Sequence, residues 1–90
     1  KNKVVVITGA FGKLGFNFVR FLLKEKAKVV LADIYFNEEK YKLLKGDFLF
    51  VKTDITSKDS ILNLIKKSED KFGVIDVLVN SAYPKGNNYG

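Results

Sequence analysis

The sequence predicts an α/β fold, a doubly wound parallel sheet built in the order β-α-β-α-β-α-β. Three observations carry this expectation. Short apolar runs of strand length recur at residues 3–8, 28–33, 48–53 and 75–80. Stretches with helical spacing separate them. Gly, Asn, Ser or Thr marks the junctions, and Pro is absent until Pro84. Strands alternating with helices imply parallel pairing and right-handed crossovers.

The elements follow in order. Residues 3–8 (KVVVIT) form a β-branched run, as expected of a strand buried on both faces. A glycine-rich turn occupies residues 9–15. Helical spacing then runs over residues 13–26: Leu14, Phe18, Phe21 and Leu22 share one face, and Lys13, Asn17, Arg20 and Lys24 the other. The first set is expected to pack on the sheet. Residues 28–33 (KVVLAD) read as a second buried strand. Asn37 can cap a short helix with Glu38 and Glu39 in its first turn, and Gly46 can end it. Residues 48–53 (FLFVKT) give a third strand. Thr56 or Ser57 starts another helix, with Ile61, Leu62 and Ile65 expected to be buried and Gly73 at its C-terminal end. Residues 75–80 (IDVLVN) give a fourth strand.

The totals bound the possibilities. Ninety residues make one small domain at most, since domains typically run about 100–150 residues. Apolar residues at 47% and aromatics at 13% fit a globular chain. The absence of Cys excludes disulfides, thiolate metal sites and Cys nucleophiles. The absence of His removes the commonest general base and metal ligand. The net charge of +6 comes from Lys residues spread along the whole chain. No basic run is interleaved with aromatics, so the charge reads as a solvated surface and not as a nucleic-acid face. The longest apolar stretches fall far below the ~20 residues of a membrane helix, and no signal peptide is visible. The chain therefore reads as cytoplasmic by default. It starts on Lys1 almost directly before a strand and stops after Gly90, as expected of part of a longer protein.

The sharpest motif is VVVITGAFGKLG, with Gly9, Gly12 and Gly15 between a buried strand and an amphipathic helix. That context gives a glycine triplet its meaning; a lone triplet is weak. Gly9 allows a tight turn, Gly12 lets backbone approach a phosphate, and Gly15 lets the helix pack close to the sheet. The helix N-terminus then offers unpaired N–H groups and a partial positive charge to a pyrophosphate. Phe11, Lys13 and Leu14 fall inside the same turn, and Lys13 could add charge. A tight β-to-α connection without any ligand would need fewer glycines. A mononucleotide P-loop does not fit, because Lys13 is not followed by Ser or Thr. The turn therefore points to a Rossmann-type dinucleotide site, with residues 1–90 as the N-terminal portion of that domain.

Asp33 closes the second strand, 18 positions beyond Gly15. A carboxylate there can accept hydrogen bonds from both ribose hydroxyls and repel a 2′-phosphate. Residues 34–36 are Ile, Tyr and Phe, with no Arg to receive such a phosphate. NAD is thus favoured over NADP, with Ile34 beside the site. The alternative is an Asp that merely ends a strand. In TDITS, residues 53–57, Asp54 could accept from the adenine amino group while Ile55 packs beside the ring. Equally, Asp54 could only help to cap the next helix.

With the glycine turn, Asp33, Asp54-Ile55 and FGVIDVLVNSA in that order, the chain resembles the N-terminal half of a short-chain dehydrogenase/reductase. The resemblance covers nearly all of the sequence. It implies that Asn80 steadies the central sheet beside the cofactor ribose, and that Ser81 and Ala82 line the same wall. The family's usual Asn-Asn-Ala-Gly is here Asn80-Ser81-Ala82-Tyr83, so the loop YPKGNNYG can take a different path on the substrate side. The glycines are spaced two and two, as in the extended branch that works on nucleotide sugars, whereas the fourth strand resembles the branch with three-and-one spacing. The tail NSAYPKGNNYG also resembles dehydrogenases of flagellin modification, linked to nonulosonate-type sugars.

The resemblance implies an oxidoreductase acting on a small molecule, a sugar-derived alcohol or carbonyl, and a homo-oligomer as the full-length enzyme. Neither nucleic acid nor membrane is implied as a partner. A nucleotide-sugar epimerase or dehydratase and a non-catalytic NAD-sensing domain remain as alternatives, since fold alone does not separate them. It further implies a catalytic Ser, Tyr and Lys, the last two as Tyr-x-x-x-Lys. The chain holds one clear instance, Tyr41 to Lys45, between the second and third strands. In the family the pair follows the fifth strand, so this one reads as a decoy: Tyr41 and Leu44 packing on the sheet, Lys42 and Lys45 in solvent. No catalytic residue is expected among these residues, and the set is expected beyond residue 90.

Overall fold

The computed structural model describes residues 2–81. The observed order is β1 (Val4–Thr8), α1 (Lys13–Lys24), β2 (Lys28–Asp33), α2 (Glu38–Lys42), β3 (Phe48–Lys52), α3 (Lys58–Phe72) and β4 (Val77–Asn80). All strand pairs are parallel, and the sheet order is β3-β2-β1-β4. The chain therefore winds outward in one direction through β2 and β3. It then crosses back through α3 to place β4 on the other side of β1. In such sheets the C-terminal ends of the strands beside this reversal form a natural crevice.

β1 and β2 are central and almost fully buried. Their side chains alternate between two cores. Val5, Ile7, Val29 and Leu31 face α1 and α2, where they meet Phe11, Phe16, Val19, Leu23 and Leu44. Val6, Val30 and Ala32 face α3, where they meet Val51 and Leu64. Continuous apolar runs thus become a sheet covered on both faces, the arrangement that makes buried parallel strands read without polar alternation.

The rotation of both long helices differs from the expectation. On α1 the buried residues are Gly15, Phe16, Val19 and Leu23. Leu14, Phe18 and Phe21 are exposed, and Leu22 is partly buried against the core. Apolar residues surround most of α1, so periodicity offers two stripes, and close approach at Gly15 selects the smaller one. α3 likewise turns Leu64 and Ser68 inward and leaves Ile61, Leu62 and Ile65 exposed. Ser68 is small and donates its hydroxyl to the Leu64 carbonyl at 2.6 Å, so it is satisfied inside the core.

Several boundaries also shift. α1 ends at Lys24, because Lys26 takes a left-handed conformation (φ 70°). Lys26 N donates to Leu23 O and Ala27 N to Leu22 O, which closes a Schellman motif without glycine. α2 stops at Lys42, four residues before Gly46; Gly46 instead turns the chain into β3 with φ 122°. Asp76 lies just outside β4, yet its carboxylate accepts from Val4 N at 2.8 Å and ties the two strand entries together.

Candidate functional site

At the C-terminal ends of β1, β2 and β3 lies a cleft of about 840 Å³. Each wall follows from a local feature of the sequence. After Thr8 the chain turns on Gly9, whose φ of 64° suits glycine. Gly12 N donates to Gly9 O at 3.0 Å, and Phe16 N donates to Gly12 O at 2.8 Å, so the turn runs directly into α1. Gly12 itself has φ −69° and ψ 168°, extended backbone open to any residue. Gly15 is the constrained one: a Cβ there would collide with the Gly9 carbonyl oxygen and lie 2.6 Å from Ser81 Oγ.

The start of α1 is chemically open. Gly12 supplies no side-chain cap, and no acidic residue lies in the first turn. The first N–H groups of a helix lack intrahelical partners and carry its positive end. Lys13 adds an exposed cation there. This is a cradle suited to a phosphate group, and the crowding at Gly15 shows how closely backbone is drawn together around it.

Asp33 stands at the end of β2. Its Oδ2 accepts from Phe11 N at 2.9 Å, and its Oδ1 accepts from Tyr35 N at 3.3 Å. Each carboxylate oxygen can accept more than one hydrogen bond, so the same group can anchor the glycine turn and still receive ribose hydroxyls. On the far wall, Asp54 Oδ1 accepts from Thr56 N at 2.9 Å and from Thr56 Oγ1 at 2.6 Å. The Thr56 hydroxyl, then its backbone N–H, hold the Asp54 carboxyl below its ordinary value. Asp54 N in turn donates to Ser60 Oγ at 2.8 Å. Asp54 thus shapes the entry to α3 and also lines the cleft, while the cap itself is Ser57.

β4 closes the third side. The buried Thr8 hydroxyl donates to Asn80 Oδ1 at 2.7 Å, and Ser81 donates its hydroxyl to the Thr8 carbonyl. Asn80 therefore joins β4 to β1.

Of the expected residues, Gly9, Phe11, Gly12, Asp33, Ile34, Asp54, Ile55 and Ser81 line one cleft. Lys13 and Leu14 sit on the exposed side of the first turn of α1, Gly15 is buried beneath it, and Asn80 stands beside the cleft on β4. Ala82 and Tyr83 lie outside the described residues. Residues not singled out from the sequence also line it, among them Tyr35, Phe36, Glu38 and Glu39. The signal for Tyr35 and Phe36 was the apolar triplet directly after Asp33, which had no strand or helix to join, whereas Glu38 and Glu39 read in the sequence only as the first turn of the short helix.

Tyr41 belongs to α2 and packs edge-on against Phe36 and Phe48, each with ring centroids 5.0 Å away. Helix α2 ends before Lys45, which lines a separate hollow at the opposite end of the sheet with Arg20, Lys24 and Gly46. Tyr41 and Lys45 thus have different surroundings, the aromatic cluster for Tyr41 and the hollow for Lys45.

The family model described as short chain dehydrogenase matches residues 3–87. The chain belongs to the short-chain dehydrogenase family. It is 35% identical to post-translational flagellin modification protein A of Campylobacter coli, with 100% of this chain covering 38% of that relative. Among solved structures, a short chain dehydrogenase from Mycobacterium smegmatis superposes with a TM-score of 0.82 at 34% identity, over 96% of this chain and 38% of that one. A putative D-mannonate oxidoreductase from Haemophilus influenza, solved with bound NAD, gives a TM-score of 0.82 at 28% identity, over 93% of this chain and 32% of that one. The chain thus spans less than two fifths of the length of each of these proteins. Within the family fold, its uncapped α1 and Asp33 occupy one cleft edge. None of the described helices is long and apolar enough to cross a membrane.

Proposed function

We propose that these residues form the adenosine and pyrophosphate half of an NAD-linked oxidoreductase of the short-chain dehydrogenase type. The observation that carries the reading is the pairing of an open helix start with a strand-end carboxylate in one cleft. The first N–H groups of α1, with Lys13, would hold the pyrophosphate. Asp33 would take the adenosine ribose, and Ile34 with Asp54 and Ile55 would flank the adenine. Asn80 and Ser81 would stand beside the cofactor ribose at the end of β4. NAD, when bound, supplies the hydride acceptor.

The charge of the cleft supports NAD over NADP. Asp33, Glu38, Glu39 and Asp54 line it, and neither Lys nor Arg is among the described residues that do. A 2′-phosphate would enter among carboxylates, with no cation among the described lining residues to meet it. The name of the Campylobacter coli relative and that of the mannonate oxidoreductase neighbour support a sugar-derived alcohol or carbonyl as substrate, with flagellin modification as a setting. The catalytic Ser, Tyr and Lys of this reading are placed outside these residues. The two-and-two glycine spacing favours a second reading, a nucleotide-sugar epimerase or dehydratase; net NADH formation against recycling of the cofactor separates the two.

The test is titration of the intact protein and its Asp33→Ala variant with NADH and NADPH. Loss of the ribose acceptor should weaken NADH binding about tenfold or more, at roughly 1.5–3 kcal/mol for a hydrogen bond to a charged group. Discrimination against NADPH should relax in parallel. Equal binding of both cofactors by both proteins would sink the ribose assignment.

A further inference from the structure

We propose that Lys40, on α2, is a positioning residue of the cofactor site that acts through the backbone of Phe11. The inference rests on the reading of the cleft as a dinucleotide site and adds to it a residue that does not line the cleft.

Lys40 Nζ donates to Phe11 O at 2.7 Å. That carbonyl shares one rigid peptide plane with Gly12 N–H, and Gly12 N donates to Gly9 O at 3.0 Å. The plane just before α1 is therefore held at both ends. The preceding plane is held as well, since Phe11 N donates to Asp33 Oδ2 at 2.9 Å. Two consecutive peptides of the glycine turn are fixed by two side chains from elsewhere in the chain, Asp33 and Lys40, and by the turn's own Gly9 carbonyl. Gly12 N–H is itself occupied, but Gly12 is the N-cap from which α1 starts, so the orientation of its peptide sets where the open N–H groups that follow, from Lys13 onward, aim.

The tether is built and not incidental. The Lys40 ammonium also sits 5.2 Å from the centroid of the Phe16 ring, so a carbonyl and an aromatic face replace part of its water. Its backbone N–H is fixed by Asn37 Oδ1 at 3.0 Å, which caps α2. A five-residue helix is not stable by itself. α2 is pinned to the turn by aromatic packing, with Phe11 against Phe36 at 5.8 Å and against Tyr41 at 6.5 Å between ring centroids. A charge-assisted hydrogen bond in such a setting is stronger than a neutral one. The ammonium is spent on the turn, behind the ribose wall, and is not offered to the cofactor.

The experiment compares the intact wild-type protein with Lys40→Met, which keeps the apolar stem, and Lys40→Arg, which keeps the donor. NADH and NADPH affinities are measured by fluorescence titration, and exchange of the Gly12 amide by NMR or mass spectrometry. Lys40→Met should weaken both cofactors by the same factor, about tenfold for a lost charged hydrogen bond, and speed Gly12 exchange. Lys40→Arg should recover most of both. Wild-type NADH affinity in Lys40→Met would overturn the proposal, and so would weakening of NADPH alone, which would mean direct contact with a phosphate. If Lys40→Met fails to fold, Lys40→Gln carries the same readings. If the wild-type protein binds neither cofactor, the dinucleotide reading fails; faster Gly12 exchange in Lys40→Met would then still support the tether, and unchanged exchange would overturn it.

Discussion

The N-termini of α1 and α3 differ in how their backbone groups are satisfied. α3 is closed by its own side chains: Ser57 Oγ accepts from Ser60 N at 3.2 Å, and Asp59 lies in the first turn beside the positive end. α2 repeats the scheme with Asn37, Glu38 and Glu39. α1, which begins at the cleft, has a glycine at its cap and no acid in its first turn. α2 and α3 cap their own first turns, whereas the helix that follows the glycine turn leaves its first donors for a guest. The difference costs little in the free protein, because glycine at this position is only a few tenths of a kcal/mol worse than a capping side chain.

The largest effect should come from removing the clearance that makes the open start possible. Gly15→Ala puts a methyl group against the Gly9 carbonyl and Ser81 Oγ. Overpacking of this kind costs about 1–3 kcal/mol, and displacement of the turn should abolish NADH binding. Thermal denaturation and titration check the two parts. Next comes closing the helix by design. Gly12→Asp supplies a cap and an anion where a pyrophosphate would lie, and its φ and ψ admit a side chain. Its Cβ would meet the Gly9 carbonyl at 3.3 Å, a tight fit. Stability should change by only a few tenths of a kcal/mol, while cofactor affinity falls about a hundredfold, or ~2.7 kcal/mol. Undiminished affinity would mean that the α1 start does not receive an anion. The smallest effect belongs to the other helix. Ser57→Ala should cost about 1 kcal/mol of stability and leave NADH affinity unchanged, because that cap serves only its own helix.

Parts of this contrast were legible in residues alone. Asn37 was readable as a cap, the start of the third helix as Thr56 or Ser57, and Gly9 and Gly15 as a turn and a close approach, because these roles depend on neighbours a few positions away. The cleft residues Ile34, Asp54 and Ile55 were readable as strand-end positions. Lys40 was not, because its partner, Phe11, is 29 residues away in sequence and nothing near Lys40 marks it. The aromatic cluster was equally silent: Phe11, Phe36, Tyr41 and Phe50 converge from four different segments. The dual part of Asp33, ribose acceptor by expectation and anchor of Phe11 by geometry, also required the third dimension.

The sequence by itself determined the order of the elements, their parallel pairing and the edge at which a ligand would sit. Strand runs, glycines and caps are local, and connection rules leave few topologies for such a string. Only the tertiary structure decided the rotation of α1 and α3. Both helices carry apolar residues on more than one face, so hydrophobicity alone supports two answers. Close packing chose the faces of Gly15 and Ser68, where a small residue lets backbone approach, over the bulkier rows of Phe18 and Phe21 or Ile61 and Ile65. Burial rewards area, but proximity is limited by volume, and where those demands differ the sequence does not announce which one prevails.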